Sequence, residues 1–115
     1  MKNSKLLMRI GKRKIGPKYK PIVIVELGIN HNGSLKKAKK LVDQAKRFGA
    51  EIIKHQTHIV EDEMSIEARE IVPSHTKKNI FEIIENSSLS EKDEFKLMKY
   101  VQNRKMIFIS TPFSR

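Results

Sequence analysis

A strand, a helix and a second strand follow one another in the first half of the chain, and this order constrains the fold most. The β-branched run at residues 22–27 is typical of a parallel strand buried on both faces. Apolar residues recur at helical spacing over residues 35–48, after the good N-cap residue Ser34 and before the helix-ending Gly49. Residues 51–56 predict the second strand. Because a single helix connects the two strands, we expect them to be parallel.

The second half of the chain continues this alternation. Residues 57–79 predict a long irregular loop with an acidic cluster at 61–63, and a short helix follows near Ile80. Ser90 and Asp93 predict the start of another helix. Its apolar face is predicted to consist of Phe95, Leu97, Met98 and Val101. A third strand at residues 106–111 leaves a sheet edge open, which favours part of a larger α/β barrel or sheet over a complete small domain.

Positive charge is concentrated in the first 20 residues. The 115-residue chain has 24 basic and 13 acidic residues, a net charge of +11, and eight of the basic residues but no acidic one precede residue 21. A basic arm can track nucleic-acid phosphates, but no recognition-helix or RNA-binding signature follows it. We therefore expect a solvated extension over residues 1–20, folded into a small hairpin near Gly11, and no nucleic-acid partner.

Other classes are excluded by what the sequence lacks. It has no cysteine, which excludes disulfides, thiolate zinc sites and cysteine nucleophiles. No apolar run approaches the ~20 residues of a membrane span, and the apolar patch near the N-terminus is too short for a signal peptide. These features predict a cytoplasmic protein without a membrane partner.

Polar residues stand at the carboxyl ends of all three predicted strands. Since strand side chains alternate between faces, Glu26, Gln56 and Thr111 each end a row that begins with isoleucine. In barrels and open parallel sheets, this end carries the functional site. Polar residues also occur at strand ends because these ends meet solvent, but the same pattern in three strands favours a functional site over this alternative.

Lys54 is the strongest single candidate for a binding residue, because its side chain lies on the same strand face as that of Gln56. A buried ammonium needs an anion, which is either a phosphate or carboxylate ligand or Glu26 in a structural pair. His55 is expected to face the helices. By residue type, three histidines could form a metal site: His31, His55 and His58. Neither their spacing along the chain nor the faces on which they are expected to lie supports such a site.

Four segments, in order and with matching gaps, resemble the sialic acid synthase family. They are residues 26–33 (ELGINHNG), 54–58 (KHQTH), 61–65 (EDEMS) and 109–115 (ISTPFSR). Each is weak alone, but together they are specific, and the resemblance covers about residues 5–115. The second segment with the acidic loop is more similar to neuraminate and legionaminate synthases than to pseudaminate synthases.

The resemblance implies a (β/α)8 barrel followed by a small antifreeze-like domain, in a homodimer. It implies that phosphoenolpyruvate condenses with N-acetylmannosamine or a related acyl-mannosamine-type sugar, with manganese or magnesium as cofactor. By motif, Lys54 resembles a phosphoenolpyruvate-binding lysine and Thr111 a hydroxyl donor to that ligand. Glu26 resembles the catalytic carboxylate beside the reacting centre, and Gln56 and Asn30 are expected to be substrate-binding wall residues.

Length is where the chain departs from the family. Residues 21–115 are expected to be the first part of a truncated barrel, without the later strands that carry the metal-binding histidines. We therefore expect no metal site within this chain and no activity from it alone. Two alternatives remain open: another phosphoenolpyruvate–aldose condensing enzyme, and a non-catalytic basic binding module.

Overall fold

A three-stranded parallel sheet forms the centre of the computed structural model, which describes residues 7–75 and 77–114. Its strands are β3 (Ile24–Gly28), β4 (Ile52–Thr57) and β5 (Ile107–Pro112), in the order β3-β4-β5. Both pairings are parallel, as the sequence predicted. The strand at each predicted position begins one or two residues later than expected.

Two helices cover one face of this sheet. Helix α1 (Leu35–Arg47) starts at the N-cap Ser34, whose side chain accepts a hydrogen bond from the Lys37 N–H. Helix α5 (Glu91–Asn103) starts in the same way at Ser90. Both caps were predicted from the sequence. The helices pack together with the inner sides of the strands around the buried Val42, Ile53, Leu97 and Val101.

The other sheet face is partly open among the described residues. Ile24 of β3 and Ile109 of β5 are 47% and 41% exposed, whereas Ile52 of the central strand is 2% exposed. The prediction that the first strand is buried on both faces is therefore wrong for β3, because helices cover only the side to which Leu27 belongs. This open face also carries Lys54.

The segment between β4 and α5 is more ordered than predicted. In place of an irregular loop it contains the one-turn helices α2 (Val60–Glu63) and α3 (Ile66–Arg69), before α4 (Ile80–Ser87). The Ser65 side chain accepts from the Ala68 N–H and caps α3, a local signal that the polar composition obscured. Phe95 is a second correction. It is 58% exposed, because it lies off the stripe that Leu97 and Val101 turn toward the core.

A hairpin packs against the amino ends of the strands. Strands β1 (Met8–Ile10) and β2 (Arg13–Ile15) are antiparallel, with Gly11 at a positive φ of 58° in the turn, as predicted. The Arg13 guanidinium donates to the Glu51 carboxylate at 2.7 Å, just before β4. Within the described part of the chain, none of the helices has the length and hydropathy of a membrane span.

Candidate active site

Glu26 and Lys54 meet at the carboxyl side of the open sheet face. They are opposite each other in the β3–β4 register, and the Lys54 Nζ donates to a Glu26 carboxylate oxygen at 2.9 Å. The side chains are 66% and 37% exposed, respectively. An ion pair this exposed contributes only about 0–1 kcal/mol to stability. The structural pair allowed by the sequence does form, but the fold gains little from it.

Gln56 and Thr111 lie one step further toward the carboxyl ends. They are partners in the β4–β5 register, and both share the face of Lys54 because strand side chains alternate. Thr111 is exposed and Gln56 is half-buried. The structure therefore brings these two predicted residues together beside the Glu26–Lys54 pair.

Asn30 reaches the same end of the sheet through a bend at Gly28. The sheet register slips between Glu26 and Gly28, and Gly28 has a φ of +56°, which favours glycine. A side chain there would meet the Gln56 amide nitrogen at 3.6 Å and the Asn30 amide nitrogen at 3.9 Å. The Asn30 Nδ2 also donates to the Leu27 carbonyl at 2.8 Å. Asn30 and Gln56 thus approach Gly28 from two sides.

Two buried histidines lie behind this site, on the helix-covered face. His31 is 0% and His55 1% exposed, and their Nε2 atoms are 2.9 Å apart. The Gly33 N–H donates to His31 Nδ1, so the proton of neutral His31 is on Nε2 and is donated to His55. His55 in turn donates from Nδ1 to Glu94 at 3.1 Å. His55 faces the helices as predicted, but its partners were not foreseen.

Glu94 is the end point of this chain of hydrogen bonds. Its Oε1 accepts from His55 and from the hydroxyls of Thr57 and Ser110, the last at 2.8 Å. Burial by itself raises the pKa of Glu94, but the hydrogen bonds from these three groups outweigh it and hold the pKa below its usual value. The carboxylate therefore links α5 to both β4 and β5.

The pKa of His31 is lowered to about 4, first by burial and then by the nearby His55. His31 is therefore neutral at physiological pH, which agrees with its role as acceptor from Gly33.

The sequence contains one signal for the hydrogen-bond network of His31, His55 and Glu94. Glu94 precedes Leu97 by three residues and Val101 by seven, which places it on the core-facing stripe of the helix.

His58 lies at the same end of the sheet, next to Gln56. Its Nε2 is 3.0 Å from Gln56 Oε1, and its Nδ1 is 2.7 Å from Glu63 Oε1 in α2. Its ring stacks on Phe113 with a centroid distance of 4.5 Å. The side chains of His58 and Glu63 are 6% and 9% exposed. The sequence indicated none of these three contacts, and the one with Glu63 depends on the fold of the α2 segment.

A metal site does not emerge from these groups. Residues 7–75 and 77–114 contain no cluster of three or more His, Cys, Asp or Glu residues that could hold a metal ion. Glu26 is paired with a cation, and His31 and His55 use their ring nitrogens on each other and on protein groups. The divalent metal implied by the resemblance does not fit the described residues.

Comparison with known protein families shows to which family the chain belongs. The sequence model of the NeuB family matches residues 41–115. This chain belongs to the NeuB family. An uncharacterized protein of Methanocaldococcus jannaschii is 34% identical over 91% of this chain and 28% of its own length. The N,N'-diacetyllegionaminic acid synthase of Legionella pneumophila is 33% identical over 79% of this chain and 27% of its own length.

Two solved structures resemble this NeuB-family chain in fold. The N-acetylneuraminic acid synthetase of Leptospira borgpetersenii, solved with citrate, matches with a TM-score of 0.76 and 25% identity, over 96% of this chain and 35% of that one. The Bacillus subtilis spore coat polysaccharide biosynthesis protein SpsE matches with a TM-score of 0.60 and 25% identity, over 90% and 26%. The fold is thus the N-terminal part of the predicted (β/α)8 barrel, preceded by a hairpin, and the chain spans just over a quarter of the two relatives' length.

Proposed function

We propose that this chain supplies part of the active site of a nonulosonate synthase, which joins phosphoenolpyruvate to the aldehyde of an N-acylated mannosamine-type sugar. The observation that carries the proposal is the placement of Glu26, Lys54, Gln56 and Thr111 on one sheet face at the carboxyl ends, in a NeuB-family chain. The names of the relatives, which include legionaminic acid and N-acetylneuraminic acid synthases, support this reaction class. The homodimer implied by the family belongs to the same proposal.

In the proposed reaction, the enol carbon of phosphoenolpyruvate attacks the aldehyde carbon and a carbon–carbon bond forms. Water adds to the cationic carbon that remains, and phosphate leaves by cleavage of its bond to that carbon, which becomes a ketone. Of the two protons of the water, one ends on the former aldehyde oxygen and the other on phosphate. The divalent metal would be held by residues outside this chain, so the steps assigned to this chain involve only its own side chains.

Lys54 is the proposed anion-binding group. Its ammonium is accessible from the open face and already within 2.9 Å of a carboxylate, so a phosphate or carboxylate of the ligand can share it. Thr111 adds a hydroxyl donor on the same face. Glu26 places a negative charge beside the ammonium, where it can stabilise the cationic carbon of the intermediate.

A hybrid enzyme tests this proposal. Residues 22–115 would replace the structurally matching part of the Leptospira borgpetersenii synthetase, and product formation would be measured from phosphoenolpyruvate and N-acetylmannosamine with manganese. We expect product from the hybrid and a large loss in its Lys54→Ala and Thr111→Ala variants. The matched control is Lys36→Ala on the exposed side of α1. A folded hybrid that forms no product, or one that is indifferent to Lys54, would contradict the proposal.

A further inference from the structure

His58 is held on three sides, although the proposed reaction assigns it no role. Its Nδ1 faces Glu63 at 2.7 Å, its Nε2 faces Gln56 Oε1 at 3.0 Å, and Phe113 covers one ring face. With 6% of its side chain exposed, His58 has little freedom to turn. A side chain held in this way also fixes its hydrogen-bond partners, and one of these partners is Gln56, a proposed ligand-binding residue.

The two partners of His58 differ in what they leave free. The Glu63 carboxylate, 9% exposed, lies against Nδ1 at 2.7 Å. The Gln56 Oε1 is an amide oxygen, which only accepts hydrogen bonds, so Nε2 is the donor in the second contact.

This bond decides which end of Gln56 is left for a ligand. Because Oε1 is used by His58, the amide nitrogen points to Gly28, where the Asn30 amide nitrogen also arrives. Asn30 commits one of its two amide hydrogens to the Leu27 carbonyl. The end of the sheet beside Gly28 therefore offers amide donors, and a ligand group that matches them is an oxygen acceptor.

We propose that His58 is a positioning residue that, held by Glu63, turns the amide donors of Gln56 toward the sugar, so that the site selects a sugar oxygen that accepts hydrogen bonds, such as the N-acyl carbonyl. The identity of the ligand rests on the proposed function, whereas the orientation of Gln56 does not. The two parts are therefore tested separately.

The orientation is tested by NMR on the 115-residue chain. We expect the Gln56 amide protons to show contacts to the Gly28 α protons. In Glu63→Gln, we expect the Gln56–Gly28 contacts to disappear. Glu61→Gln, an exposed acid in the same helix, should leave them unchanged. The absence of these contacts in the unaltered chain overturns the proposal, even when a variant fails to fold.

The functional part is tested in the hybrid enzyme. Loss of one neutral hydrogen bond corresponds to about three- to ten-fold in affinity. Glu63→Gln and His58→Ala should raise the KM for N-acetylmannosamine by this factor and leave the KM for phosphoenolpyruvate unchanged, with Glu61→Gln as the control. Equal sugar KM values in Glu63→Gln and Glu61→Gln overturn the proposal. A hybrid without any product argues instead against the proposed function, and the NMR result then still decides the orientation of Gln56.

Discussion

His31 Nε2 donates a hydrogen bond to His55 Nε2 at 2.9 Å, so a loop residue and a strand residue share one proton in the protein interior. This bond ties the loop that carries Asn30 to the central strand that carries Lys54 and Gln56. It lies on the sheet face opposite the candidate site. The geometry of the site therefore depends on a network that no ligand needs to touch.

The free energy of unfolding should depend on pH through His31. Its pKa is about 4 in the folded chain and about 6.5 when unfolded, so between these values the unfolded state binds more protons. Stability should be complete above pH 6.5 and fall by up to about 1.4 kcal/mol per pH unit toward pH 4, or about 3 kcal/mol in total. Urea unfolding at a series of pH values measures this slope. His31→Gln should flatten it, whereas His75→Gln, at an exposed loop position, should not.

Glu94→Ala should be the most destabilising change in the network. It leaves the donors of His55, Thr57 and Ser110 without their shared acceptor. A loss of about 3–5 kcal/mol is expected for breaking a buried charged network by removing one partner. Glu91→Ala, an exposed acid in the first turn of the same helix, is the matched control. Similar denaturation midpoints for the two variants would show that the network contributes little.

Gly33→Ala should destabilise the chain for two separate reasons. Its φ is +76°, and an added Cβ would lie 2.5 Å from the Asn86 carbonyl oxygen. Gly49 has a φ of +96° but open space around it, so Gly49→Ala reports the backbone cost alone, about 1–2 kcal/mol. Thermal unfolding should show a larger loss for Gly33→Ala. An equal loss of stability in both variants would mean that the loop around Gly33 moves away from α4 without a further loss of free energy.

Lys54→Ala should separate ligand binding from stability. Because the Glu26–Lys54 pair is exposed, the variant should lose less than about 1 kcal/mol of stability. In the hybrid enzyme, its affinity for phosphoenolpyruvate should fall about 10- to 100-fold, as for the loss of a charge-assisted hydrogen bond. Lys54→Arg should rescue poorly. A large fall in melting temperature with unchanged phosphoenolpyruvate affinity would assign Lys54 a purely structural role.

The 115-residue chain alone should form no product. The described residues contain no metal-binding cluster, and in the proposed reaction a metal would activate the aldehyde, a contribution of several kcal/mol. The assay combines the chain with phosphoenolpyruvate, N-acetylmannosamine and manganese. Turnover above the same mixture without manganese would show that this chain holds a metal after all.

Local signals made most of the fold predictable. Ser34 and Ser90 cap α1 and α5 as expected, because a cap depends on residues three positions apart. The parallel pairing of β3 and β4 followed from the single-helix crossover between them. The predicted site residues also converge, since the carboxyl ends of parallel strands meet at one sheet edge.

Contacts between distant segments were not predictable in the same way. The bonds of His55 to His31 and Glu94 join residues 24 and 39 positions apart, and the sequence alone does not state which helix face meets which strand. The exposure of Ile24 was missed because a β-branched run looks the same whether one or both faces are covered. Two short helices in the predicted loop were missed because single turns have little periodicity.

The hairpin has a consequence for how an anionic substrate would arrive. Its Arg13 is fixed at Glu51, and Gln56 lies five strand residues further along, roughly 17 Å away. This distance is about two Debye lengths at physiological ionic strength. Arg13 is therefore largely screened from a ligand at the carboxyl ends of the strands, and the association rate of phosphoenolpyruvate should depend on Lys54 much more than on Arg13.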